Sequence, residues 1–194
     1  FPTRRSSDLW SQICYGARSS LVIGFSTALI AAVGGSFIGI ISGYIGGIID
    51  KIVMRVIDLL IIMPGLPVMI VMAAFFGPSL INIIIILAFF SWVIPARLVR
   101  SQILMVKEMD YIKAAETYGP SPWYLLRKHF LPEVFPLIAV SVIRISGRAI
   151  IAEAGLAFLG LGDPTSKSWG VIIQHALNFP GIYYTPFWKW WLVY

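Results

Sequence analysis

Long apolar runs separated by short polar interruptions make up most of this chain, and the length of those runs is what decides its class. A helix needs about 20 apolar residues to cross a hydrocarbon layer ~30 Å thick. Four runs reach that length: Leu21 to Ile45, Val53 to Phe76, Leu80 to about Leu98, and Phe135 to Leu161. A fifth begins at Phe187, where Phe-Trp-Lys-Trp-Trp reads as an aromatic membrane entry before the chain stops at Tyr194. Gly46-Gly47, Gly77-Pro-Ser79 and Gly160-Leu-Gly-Asp-Pro164 supply the breaks between runs. The segment from Thr165 to Pro186, with Ser168-Trp-Gly170, reads as an interfacial loop. The pattern predicts an all-α integral membrane protein, a polytopic helical bundle of about four complete transmembrane helices and the start of a fifth.

Polar and breaker positions within the runs refine that picture. Gly35, Gly39, Gly43 and Gly47 recur every four residues, so they predict one helix face on which a neighbouring backbone can come close. Asp50 is placed to cap the second span. Arg55 and Asp58 stand three apart and can pair, which lowers the cost of taking either toward the bilayer. Pro64 and Pro67 should kink that span. Asp58, Arg144, Arg148 and Glu153 fall in or near the spans, so they should face protein or water rather than lipid. For Arg144 and Arg148, one turn apart, two readings stand: they line a polar path, or they form structural ion pairs. Glu153, five residues past Arg148, lies well round the helix.

One interval is polar and basic: Tyr111 to Pro132. Ala114, Ala115 and Glu116 favour helix, Gly119 suits the position after its end, and Pro120 forbids continuation. Ser121 can cap a second helix with Pro122 at its first position. Trp123, Leu126 and Phe130 then form one apolar stripe, and Pro132 starts the next element. The product is a compact helical elbow.

Composition agrees with the spans. The chain is 58% hydrophobic and 12% charged, with mean hydropathy +0.85, whereas soluble domains carry roughly 25% charged residues. The net charge of +6 sits between apolar spans without an aromatic-interleaved polar surface, which argues against nucleic acid as a partner. Lysines and arginines are unevenly placed. Lys51, Arg55, Arg97, Arg100, Lys107, Lys113, Arg127 and Lys128 fall on one side, against Arg18 and Lys167 on the other. Positive-inside bias puts the elbow in the cytoplasm.

No catalytic constellation is present. A phosphate-binding Gly-x-x-x-x-Gly-Lys-Ser/Thr loop is missing. Cys14 is alone, which leaves no disulfide framework, and His129 and His175 stand far apart, so no metal site is expected. Residues 1–9 carry a basic pair without an apolar stretch after it. They resemble the translation of a sequencing adapter and are set aside, leaving 10–194 as the membrane domain.

The elbow carries a family resemblance. Lys113-Ala-Ala-Glu-Thr-Tyr-Gly119, nine residues, then His129-Phe-Leu131-Pro132 resembles the EAA loop of ABC-importer permeases, whose pattern is E-A-A, three residues, G, nine residues, I-x-L-P. Ala114, Ala115, Gly119, Leu131 and Pro132 match in register, while Lys113 replaces the Glu and His129 the aliphatic residue. Arg/Lys-His-x-Leu-Pro is similar to the dipeptide, oligopeptide and nickel importer subgroup. Gly16-Ala-Arg-Ser-Ser-Leu21, Gly43-Tyr-Ile-Gly-Gly-Ile-Ile-Asp50, Ala96-Arg-Leu-Val-Arg100 and Glu153-Ala-Gly-Leu-Ala-Phe-Leu-Gly-Leu-Gly162 carry the same resemblance in the same order.

The resemblance implies the fold of a type I importer permease, normally with six spans, so the first and most of the last are expected to lie outside this sequence. It implies a cytoplasmic coupling loop over about 99–132, with Lys113, Ala114, Ala115, Glu116 and Gly119 as the coupling surface. Implied partners are a second, related permease in a heterodimer, two cytoplasmic ATPase subunits that use ATP and Mg, and an extracytoplasmic solute-binding protein, all at the inner membrane of a prokaryote. The chain itself is expected to be no enzyme and to bind no cofactor. The expected cargo is a peptide or a related small solute such as a nickel complex. Two other classes stand beside this one: an ion-coupled secondary transporter, which typically shows inverted repeats, and a membrane scaffold whose elbow recruits a cytoplasmic partner.

Overall fold

In a computed structural model, residues 2–178 are described, and all regular structure among them is helical. The aromatic entry at 187–194 and the end of the interfacial loop lie outside those residues. The elements are α1 (Pro2–Ile45), α2 (Gly47–Ile62), α3 (Gly65–Phe76), α4 (Leu80–Ser91), α5 (Val93–Lys107), α6 (Asp110–Thr117), α7 (Pro122–Leu125), a π turn (Leu126–Phe130), α8 (Leu131–Phe158) and α9 (Trp169–Leu177). Among the described residues, three helical stretches are long and apolar enough to cross a membrane: Trp10–Ile45, Leu80–Lys107 and Pro122–Phe158. The bent pair α2 and α3 makes a fourth if it counts as one span. Ile48, Leu59, Phe75, Ile143 and Ile151 are all exposed, as expected where the surrounding medium is itself apolar.

Helix α1 is the central element, and its small residues explain why. A Cβ on Gly35 would collide with the carbonyl of Trp92, and one on Gly39 with that of Ala96. At Gly43 it would come within 3.0 Å of the Ile103 side chain. These three glycines therefore let α5 lie directly against α1. Earlier along the same side, Ala28, Ala31 and Ala32 are buried beside Ile145 of α8, and Gly24 admits Ile150. Gly47 does not belong to this seam. The helix ends at Ile45, Gly46 and Gly47 take left-handed conformations at φ 68° and 63°, and nothing lies within 4 Å of a Cβ added at Gly47. The four-residue period is lost with the helix that carried it.

Proline effects on the second span are stronger than a kink. Met63 is extended (φ −66°, ψ 135°), the conformation imposed on a residue before proline. Pro64 caps α3, and the two helices meet at 89°. Pro67 bends nothing, because it is the third residue of α3, where a backbone N–H has no intrahelical acceptor. The following turn is closed by Asn82, whose Nδ2 donates to the carbonyls of Phe76 and Gly77 at 2.9 and 3.2 Å.

Two spans run further than their apolar runs. The third continues through Trp92 to Lys107, and the last extends back through the π turn to Pro122. Residues 99–107 thus continue the helix of the third run, and the turns of the elbow lie between Lys107 and Leu131.

Candidate functional site

The elbow forms as local sequence directs. Helix α6 stops at Tyr118, whose N–H reaches the Ala115 carbonyl, and Gly119 follows at φ 64°, a left-handed position suited to glycine. Ser121 caps α7 by accepting the N–H of Tyr124 at 3.3 Å, with Pro122 at the first turn. The helix then widens. Leu131 N–H bonds the Leu126 carbonyl, five residues back, and the chain runs on into α8 without a break. Pro132 thus stands in the first turn of α8 but does not open a separate rod.

The wide turn changes which side chains face inward. Trp123 is 68% exposed, whereas Leu125 is 3% and Phe130 0% exposed. Of the stripe Trp123, Leu126 and Phe130, the last two pack on the core, and the π turn brings Leu125, five residues before Phe130, onto that face while Trp123 stays outside. Leu125 and Phe130 therefore join Ile112 of α6 in one core with Ile40 of α1, Val99, Ile103 and Val106 of α5, and Val134 of α8. His129 lies between Tyr111 and Tyr124, with ring centroids 5.9 and 6.2 Å away. The elbow is consequently welded to the bundle rather than hanging from it.

Its outer surface is polar and aromatic. Lys113, Ala114, Glu116 and Gly119 are exposed, and Ala115 is half-buried against the core. Lys113 Nζ sits 2.9 Å from Glu108 Oε2. That hydrogen bond holds the Glu108 carboxyl below its usual range and raises the Lys113 ammonium. A 570 Å³ groove in the crook is lined by Ala115, Tyr118, Ser121, Tyr124, Lys128 and His129, with Pro120 at its edge. Tyr118, 91% exposed, stands at its rim.

The charged residues of the spans do not gather at one place. Arg144 and Arg148 are exposed on the outer side of α8, while Glu153 is buried. Nine residues separate Arg144 from Glu153, which at about 100° per residue places them on opposite sides of the helix. Glu153 Oε1 instead accepts the Ser168 hydroxyl at 2.6 Å. Trp169 completes this clasp: its N–H reaches Ser20 Oγ at 3.1 Å and its indole N–H the Ile13 carbonyl at 3.0 Å.

Asp58 pairs with Arg97 of α5, not with Arg55. The packing of Ile57 against Val93 and Ala96 turns that side of α2 toward α5, so the cross-helix base displaces the one on the same helix. Asp50 is no cap either, since α2 begins at Gly47 with Gly46 before it. Its carboxylate takes the Ser42 hydroxyl at 2.5 Å and a two-pronged contact from Arg100. As partners of Asp50 and Glu153, Arg100, Ser42 and Ser168 escaped the sequence reading. The usable signal was that a carboxylate next to an apolar span requires a partner.

The sequence matches known proteins. The family described as binding-protein-dependent transport system inner membrane component matches residues 35–182, which include α5, the elbow and α8. The dipeptide transport system permease protein of Bacillus subtilis (strain 168) is 39% identical over 171 residues, 88% of this chain and 53% of its own length. A probable D,D-dipeptide transport system permease protein of Escherichia coli (strain K12) is 35% identical, over 89% of this chain and 58% of its own. A glutathione transport system permease protein of Pectobacterium atrosepticum is 36% identical, over 87% and 56%. The chain spans about half the length of these relatives. Family match, identity and apolar helices together make this a multi-pass membrane protein, and it belongs to the binding-protein-dependent transport system inner membrane components.

Proposed function

We propose that the protein is the permease subunit of an ABC importer for peptides or similar small solutes, with the elbow as the part that an ATPase drives. The observation that carries this reading is the shared core of Ile112, Leu125 and Phe130 with α1, α5 and α8. A protruding corner whose inner side is fused to three spans moves those spans when it is pushed. Close packing supports this, because interiors shift between discrete arrangements rather than deforming softly.

The names of the relatives, dipeptide, D,D-dipeptide and glutathione systems, support a peptide cargo. The mechanism on this reading is alternating access. A binding protein delivers the solute outside, a second, related permease forms the other half of the path, and paired ATPases with ATP and Mg displace the elbows. Lys113, Ala114, Glu116 and Gly119 form the contact surface, with Ala115 fixing α6 to the core. The elbow lies in the cytoplasm, in keeping with the eight bases at its end. Arg144 and Arg148, on an outer side of α8, face the partner permease and the path.

Cross-linking tests the reading. A cysteine at Ala114 in the complete, cysteine-free transporter is expected to form an adduct with an ATPase subunit, and uptake should require ATP. Uptake persisting in vesicles stripped of the ATPase would favour an ion-coupled carrier and overturn it.

A further inference from the structure

The elbow is joined covalently to α5 and α8 but not to α1, although α1 is the helix around which the bundle is packed. Displacement of the elbow therefore reaches α1 through packing alone, by way of α5 and α8 or by direct contact. Phe130, fully buried in the π turn, meets Tyr44 edge-on, with ring centroids 5.6 Å apart and planes at 70°. Tyr44 is the penultimate residue of α1. Its carbonyl accepts Lys107 Nζ at 3.0 Å, and the same ammonium lies 5.6 Å from its ring centroid. The C-terminal carbonyls of a helix carry partial negative charge, so the ammonium is well placed to hold that end.

We propose that the Phe130–Tyr44 contact, steadied by Lys107, is the joint that transmits elbow motion to α1. The inference rests on the importer reading and names positioning residues for it. Edge-to-face aromatic pairs have a preferred geometry that aliphatic contacts lack, so the joint carries orientation as well as volume. The π turn serves the same end. Without its extra residue, Leu125 and Phe130 would not share a face and could not both close the core beside Tyr44.

The decisive measurement is the number of solute molecules moved per ATP hydrolysed, in proteoliposomes holding the complete transporter and its binding protein. Phe130→Leu and Tyr44→Leu keep most of the volume and remove the ring pair. Each is expected to lower that ratio by about fivefold or more while the ATPase subunits still co-purify with the permease. Phe130→Tyr, which keeps the ring, should restore a ratio near the parent's, and the double leucine variant should be no worse than either single one. An unchanged ratio in the leucine variants would overturn the proposal. Loss of assembly in both would overturn it too, since it would make the contact a folding element only. If the unaltered chain assembled with no ATPase, the importer reading itself would fail, a different result from either.

Discussion

Arg100 grips Asp50 from fifty positions away in sequence, Nε to Oδ1 at 2.5 Å and Nη2 to Oδ2 at 2.6 Å. The pair joins α5 to the start of α2, and the Ser42 hydroxyl of α1 completes it. Three helices are thus tied at one carboxylate close to the elbow.

Both side chains are largely shielded, at 23% and 16% exposure, so removing one partner leaves the other charge stranded. Asp50→Asn and Arg100→Gln are each expected to destabilise the protein by about 2–4 kcal/mol, somewhat below the full range for breaking a buried pair. The double variant should recover part of that loss. Thermal unfolding of the purified protein in detergent checks both points, and strictly additive effects would show that the fork contributes no coupling.

Adjacent glycines provide an internal control for the central seam. Gly34 and Gly35 are neighbours on α1, but a Cβ at Gly34 would meet nothing within 4 Å, whereas one at Gly35 would run into the Trp92 backbone. Gly34→Ala is expected to be neutral or stabilising by up to about 1 kcal/mol through helix propensity. Gly35→Ala should destabilise by about 1–3 kcal/mol, because a rigid backbone cannot yield to the extra methyl group. Equal melting temperatures for the two would remove the case for close packing of α1 on α5.

Much of this architecture was legible in the chain, and the illegible parts have physical causes. Span positions, the Gly119 corner and the Ser121 cap depend on local chemistry, which a sequence displays directly. Partners of Asp50 and Asp58 depend on which helix lies opposite, and that is decided by packing around Gly35 and Ile57. The burial of Leu125 beside Phe130 depends on a π turn, which leaves no period in the sequence to read. Arg144 and Arg148 were recognisable as one face, but which medium that face meets is not encoded in their spacing.

On the opposite end of the bundle, acid should loosen the loop between α8 and α9. The Asp163 carboxylate accepts the Thr165 hydroxyl at 2.6 Å and the Thr165 N–H at 2.8 Å. These bonds, led by the hydroxyl, together with backbone N–H groups of Leu80 and Ser166, hold its pKa below the usual carboxylate value. A depressed carboxyl stabilises the fold above its unfolded pKa, and that contribution is lost as pH falls through the lower folded value. Amide exchange at Thr165 and Ser166, measured in full-length protein and corrected for intrinsic rates, should gain less protection per pH unit above about pH 4 than below it. Asp163→Ala should abolish that pH dependence. A parent profile as flat as the variant's would show that the carboxylate holds nothing.

Gly119 tests whether the shape of the elbow matters apart from its chemistry. At φ 64° any L residue with a Cβ is strained, by roughly 1–2 kcal/mol for alanine, while open space around it means the strain is conformational and not steric against neighbours. Gly119→Ala is therefore expected to leave the buried core of the bundle intact and to change the angle between α6 and α7. Gly119→Asn, which tolerates the left-handed region better, should be milder. If the elbow is the element an ATPase drives, solute-stimulated ATP hydrolysis by the complete transporter should fall in the order parent, Asn variant, Ala variant, with little change in melting temperature. Hydrolysis that ignores this order would mean that the corner's angle is irrelevant to coupling.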